Sequence, residues 1–141
     1  MIILDTNVVS EAMKPAPSSV VLNWLSKQQS EQLYSSTITL GEILYGIELL
    51  PDGKRRSELL AGAEKMFTIV LASRIFPFED QAARAFAHIA SARRKAGRPM
   101  TELDAQIAAI AYVHGAALAT RNTADFEGCG VRLVNPWGGL D

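Results

Sequence analysis

The sequence predicts an α/β fold with a parallel sheet covered by helices on both faces. Short apolar, β-rich runs alternate with helical patterns of ten to fifteen residues, and such βαβ units arise because parallel strands need a crossover rather than a tight turn. The chain has 141 residues and 48% hydrophobic content, with no internal repeat, low-complexity segment or linker. One domain over residues 1–141 follows, burying roughly two-thirds of its unfolded surface.

The first strand is Ile2 to Leu4, an apolar run that stops at Asp5-Thr6-Asn7, a polar cluster suited to leaving a strand and capping a helix. Pro15 and Pro17 break the chain before Val20, Val21, Trp24 and Leu25, which recur at helical spacing from Ser18. A second β-rich segment, Leu33 to Ile38, leads into Thr39, after which Leu40, Ile43, Leu44, Ile47 and Leu50 trace a helical stripe. Pro51-Asp52-Gly53 is a turn, and Lys54 to Met66 returns to a helical pattern. Ile69 to Phe78 is apolar but interrupted by Arg74 and Pro77, and periodicity does not decide its state. Asp80 to Ala96 reads as a helix closed by Gly97, and Glu102 to His114 as one closed by Gly115. Ala117 to Thr120 and Val131 to Val134 are short enough, and bounded tightly enough, to be strands.

Acidic and basic residues nearly cancel, 15 against 14, which excludes a broad positive field; any nucleic-acid surface has to be local. No basic leader precedes the first apolar run, no run approaches the length of a membrane span, and the one cysteine, Cys129, has no disulfide or metal partner. A reducing cytoplasm is the expected location.

In parallel sheets chemistry collects beyond the carboxyl ends of the strands. Asp5 stands at the end of the first strand, Glu42 in the first turn of the helix after the second, and Asp104 in the first turn of the late helix. Asn122 and Asp125 follow the strand Ala117 to Thr120. Carboxylates within about 5 Å repel by roughly 3 kcal/mol per pair at an effective dielectric near 20, so such a cluster needs a cation or raised pKa values. Oxygen-only donors point to Mg²⁺ or Mn²⁺ rather than zinc. Taken singly, each acid has a plainer reading: Asp5 as a helix cap, Glu42 closing a capping box with Thr39, and Asp104 spaced likewise from Thr101. Their joint occurrence at one sheet edge favours a site.

These residues resemble the PIN-domain family, in its VapC-like and FitB-like toxin branch. Ile3-Leu4-Asp5-Thr6-Asn7 is similar to the family's N-terminal motif. Thr37 to Gly46 resembles the segment carrying the second acid, here Glu42, and Leu103 to Ala109 the helix start carrying the third, here Asp104. Ala119 to Phe126 resembles the closing strand and loop, and Asn135-Pro136-Trp137 suits the FitB-like branch. The resemblance spans the chain and implies a PIN-like three-layer α/β/α sandwich with a central parallel sheet. It also implies a Mg²⁺-dependent ribonuclease, the toxin of a type II toxin–antitoxin system, with Mn²⁺ as a substitute.

On this reading Asp5 and Asp104 ligate the metal, Glu42 ligates it or orients water, and Asn122 and Asp125 support the site where the family often has a fourth acid. Thr6 and Thr120 would fix the carboxylates. The implied partners are RNA, a VapB/FitA-like antitoxin and a second copy in a homodimer, with DNA reached only through the antitoxin.

Arg55 and Arg56 in one basic run, and Arg93, Arg94 and Arg98 in another, are candidate phosphate contacts, with a solvated helix face as the alternative. His88 and His114 lack ligand partners, and Trp24 and Tyr45 read as packing residues. A haloacid-dehalogenase-like phosphatase would want an acid where Asn7 stands, and a receiver domain a Lys that is not evident. The remaining alternative is a non-catalytic α/β binding module that keeps the acids as caps.

Overall fold

The computed structural model describes residues 1–138 and has a middle layer of five short parallel strands. In chain order the elements are β1 (Ile2–Leu4), α1 (Thr6–Ala12), α2 (Ser19–Ser26), β2 (Leu33–Ser36), α3 (Thr37–Glu48), α4 (Lys54–Lys65), β3 (Ile75–Phe76), α5 (Asp80–Lys95), α6 (Glu102–Val113), β4 (Ala117–Ala119) and β5 (Leu133–Val134). The strand order is β3-β2-β1-β4-β5, with every pairing parallel. The expected parallel α/β/α sandwich is therefore observed.

Side chains alternate across a strand, and two cores result. Ile3 and Leu118 pack with Ile89, Ile107, Ile110 and Phe126 from α5, α6 and the closing loop. Their neighbours Leu4 and Ala119 pack oppositely with Val8, Val9, Ile43, Ile47 and Phe67 from α1, α3 and the α4 region. Residues Ile107 to Ala111 of α6 are all fully buried, which explains why this helix is apolar on every side.

Several boundaries move. The β-rich segment ends at Ser36, because Ser36 caps α3 by accepting the Thr39 N–H at 3.1 Å. Thr39 is therefore the third residue of the helix and not its cap, the Thr39–Glu42 capping box does not form, and Glu42 sits in the second turn. Asp104, by contrast, is where its spacing put it: the Thr101 hydroxyl accepts its N–H at 3.2 Å. The undecided segment contains β3, reached through a wide turn in which Leu71 N–H donates to Met66 O at 2.8 Å. Two residues paired only at a sheet edge leave no periodic signal. Gly97 and Gly115 close their helices with φ of 77° and 62°, left-handed values that glycine adopts without strain.

Candidate active site

Strand β1 is the point where the chain turns from building one half of the sheet to building the other, the kind of switch point beyond which open parallel sheets bind their ligands. Leu4 and Ala119 are register partners, so the next residue of each strand, Asp5 and Thr120, meet. Thr120 Oγ1 donates to Asp5 Oδ2 at 2.8 Å, and Thr6 N–H donates to Asp5 Oδ1 at 2.8 Å. Both carboxylate oxygens are thus held, and Asp5 is only 5% exposed.

Thr6 joins Asp5 to the second acid. Its hydroxyl donates to Glu42 Oε1 at 2.7 Å and lies 3.1 Å from the hydroxyl of Thr39. The later start of α3 matters here, because a residue one turn further along the helix faces back to Thr6. Asp104 enters from the first turn of α6, and Asp125 is close enough to Asp104 to raise its pKa. Asn122 is exposed, and its backbone is engaged at both ends: its N–H donates to Thr120 Oγ1 at 3.1 Å and its carbonyl accepts the Asp125 N–H at 3.0 Å. Thr6 and Thr120 each donate a hydroxyl hydrogen bond to a carboxylate, Thr6 to Glu42 and Thr120 to Asp5. Asn7 was not singled out as a site residue: its amide donates weakly to Asp5 Oδ2 and Thr120 Oγ1, at 3.5 and 3.4 Å, and its carbonyl accepts Arg121 N–H at 3.3 Å. The polar residue two after Asp5 was the available signal, and a helix start explained it equally well.

Burial, the largest cause, raises the Asp5 carboxyl to about 6; the bonds from Thr120 and Thr6 oppose this, and the charges of Asp104 and Glu42 add to it. Asp104 is also raised, chiefly by burial. Among the described residues Asp5 has no salt-bridge partner. No three potential ligands among them stand together as a ready-made metal cluster. The donor set is oxygen only, and its buried carboxylate lacks a positive partner. That chemistry fits a hard divalent cation.

The raised Asp5 carboxyl has a consequence for stability. Its ordinary value of 3.8 applies unfolded and about 6 folded, so its stabilisation is complete below about pH 4 and is lost as pH rises through about 6, a change of roughly 3 kcal/mol. Asp104 acts in the same sense, while Glu11, lowered by its bond from Lys14, acts in the opposite one. In EDTA, the Asp5→Asn variant should lose this part of the pH dependence of thermal unfolding. An unchanged profile would assign the titration elsewhere.

The basic candidates separate. Arg93 is only 8% exposed and donates to Arg98 O at 2.7 Å, Asp125 O at 3.0 Å and Glu127 O at 2.7 Å, so it anchors the loop after β4 and is not a phosphate contact. Arg56 is held by Glu48 and Asp52 at 3.0 and 3.6 Å, and Arg98 by Glu127 at 3.4 Å. Arg55 and Arg94 are exposed and have no ion pair among the described residues. Tyr45, expected to pack, is 67% exposed; with Glu42, Gly41, Ile38 and Leu103 it lines a hollow of about 470 Å³ beside the acids. Trp24 does pack in a core, and His114 stacks on Phe76.

The fold and site together define a three-layer α/β protein with acidic residues at the switch point of its sheet. The chain belongs to the PIN domain family, whose profile matches residues 2–128. It is 42% identical to the plasmid stability protein StbB of Pseudomonas syringae pv. tomato, over 97% of this chain and 99% of that protein. It is 40% identical to a VapC ribonuclease of Sinorhizobium fredii (97% and 98% covered) and 38% identical to the toxin FitB of Neisseria gonorrhoeae (97% and 99%). A solved structure of FitAB bound to a DNA fragment superposes with a TM-score of 0.91 at 38% identity, covering 100% of this chain and 98% of that one.

Proposed function

We propose that this chain is a Mg²⁺-dependent ribonuclease, acting as one PIN unit and as the toxin of a toxin–antitoxin pair. The observation that carries the reading is Asp5: a buried carboxylate with no cationic partner among the described residues, raised to about 6 beside two further acids. The names of the VapC ribonuclease and the toxin FitB supply the substrate class and the biological setting.

Asp5, Asp104 and Glu42 would hold the ion, with Mn²⁺ as a substitute. When bound, it would neutralise charge on a phosphodiester and acidify a water. Thr120 and the Thr6 N–H keep the Asp5 oxygens in one orientation. Thr6 engages one oxygen of Glu42, leaving the other to orient water. Asn122, exposed at the rim, can orient a phosphate or water but adds no negative charge, and Asp125 supplements the acids through its proximity to Asp104. Arg55 and Arg94 are the basic-run candidates left to contact RNA backbone.

A cognate antitoxin of the VapB/FitA kind would cover the acids, and DNA would be reached through it; the structurally similar FitAB was solved bound to a DNA fragment. Homodimer formation follows from the family likeness. No helix among the described residues is long and apolar enough to cross a membrane, and we assign the protein to the cytoplasm.

The test is cleavage of mixed cellular RNA by purified, antitoxin-free protein. Cutting should require Mg²⁺, stop in EDTA, and fall at least about a hundredfold in Asp104→Asn, since loss of a group that merely supports a ligand already costs 10–100-fold. Well-folded protein that cuts nothing would instead support the non-catalytic binding module.

A further inference from the structure

Thr39 has no function in the reading above, yet it lies at the start of a directed chain of hydroxyls. It is fully buried on α3. The Thr39 and Thr6 hydroxyls are 3.1 Å apart, either able to donate, and Thr6 lies 2.7 Å from Glu42 Oε1. Chemistry settles the direction. A hydroxyl has one proton; Thr6 gives its own to Glu42 Oε1, and its remaining contact must accept the proton of Thr39. Thr39 N–H is engaged separately with Ser36, and among the described residues its hydroxyl bonds to that of Thr6.

We propose that Thr39 is a positioning residue for Glu42, acting through Thr6 to hold the carboxylate in one rotamer. This rests on the reading of Glu42 as part of the metal site. A donated bond from Thr39 polarises the Thr6 O–H and strengthens its bond to the carboxylate. It also removes the alternative in which Thr6 accepts nothing and rotates away from Glu42. The covalent spacing of Asp5 and Thr6 makes the same chain link α3 to the loop beyond β1.

Mn²⁺ alone is the probe, titrated into the full chain and read by electron paramagnetic resonance of the free ion, with RNA cleavage measured in parallel. Thr39→Val keeps the shape and removes the proton; it should weaken Mn²⁺ binding about tenfold, while Thr39→Ser restores it. In the Glu42→Gln background the same Thr39→Val change should have little effect, because the group it positions is gone. A purely structural Thr39 would instead weaken Mn²⁺ equally in both backgrounds.

Should Thr39→Val not fold, Thr39→Ala completes the same cycle. If wild-type protein binds Mn²⁺ and Thr39→Val binds it equally well, the positioning role is wrong and the metal site stands. If wild-type protein neither binds Mn²⁺ nor cleaves RNA, the reading of the site fails, and this role with it.

Discussion

Asp5→Asn should abolish RNA cleavage while making the metal-free protein harder to unfold. The loss of activity, at least about a hundredfold, follows from removing a carboxylate at the centre of the site. The gain in stability follows from its surroundings. At pH 7 the ionised carboxylate is buried among like charges, and its displacement from 3.8 to about 6 corresponds to roughly 3 kcal/mol. An amide removes that cost but accepts the Thr120 and Thr6 donors less well, at about 1 kcal/mol. A net gain of roughly 1–2 kcal/mol should appear in urea unfolding with EDTA present, and added Mg²⁺ should stabilise wild type but not the variant. Equal cleavage by a folded Asp5→Asn protein would end the catalytic reading, and a large loss of stability would mean that the carboxylate acts mainly as a helix cap.

Arg93→Met should destabilise the fold by about 3 kcal/mol and loosen the loop that carries Asp125. The guanidinium reaches three backbone carbonyls, on Arg98, Asp125 and Glu127, with Cys129 Sγ at 3.9 Å. Buried carbonyls left without a donor cost about 1–3 kcal/mol each, reduced where water can reach them. Lysine offers a point charge in place of a planar fork, so Arg93→Lys should recover only part of the loss. Urea unfolding gives the magnitude, and amide hydrogen exchange over residues 122–129 locates it. If Arg93→Met were as stable as wild type and weakened RNA binding in a salt-dependent way, the side chain would be a phosphate contact after all.

Arg93 shows where sequence reasoning ran out. In Arg93-Arg94-Lys95 the three cations look alike, and a basic run at a helix end suits either solvent or phosphate. Only the packing of α5 against the loop after β4 turns one of them inward. Glu42 shows a different limit. Thr39-x-x-Glu42 has capping-box spacing, but Ser36 captures the cap because β2 ends there, and the shift places Glu42 one turn along, facing Thr6. Tyr45 lies on a helix with a clear apolar stripe, yet it projects beside the acids; periodicity locates a face only to within a residue or so.

The alternation of β-rich and helical runs was enough, by itself, to determine the parallel sandwich, because parallel strands demand crossovers and crossovers demand length. The spacing of Asp5 and Asp104 from their strand and helix starts likewise determined that both would lie at the carboxyl edge, since those positions follow from local backbone geometry. The order β3-β2-β1-β4-β5, the contact of Asp5 with Thr120 across 115 residues, and the Thr39-Thr6-Glu42 chain were decided only by the tertiary structure. Each depends on which strands become neighbours, and that is set by the burial of two whole sheet faces at once rather than by any local run of residues.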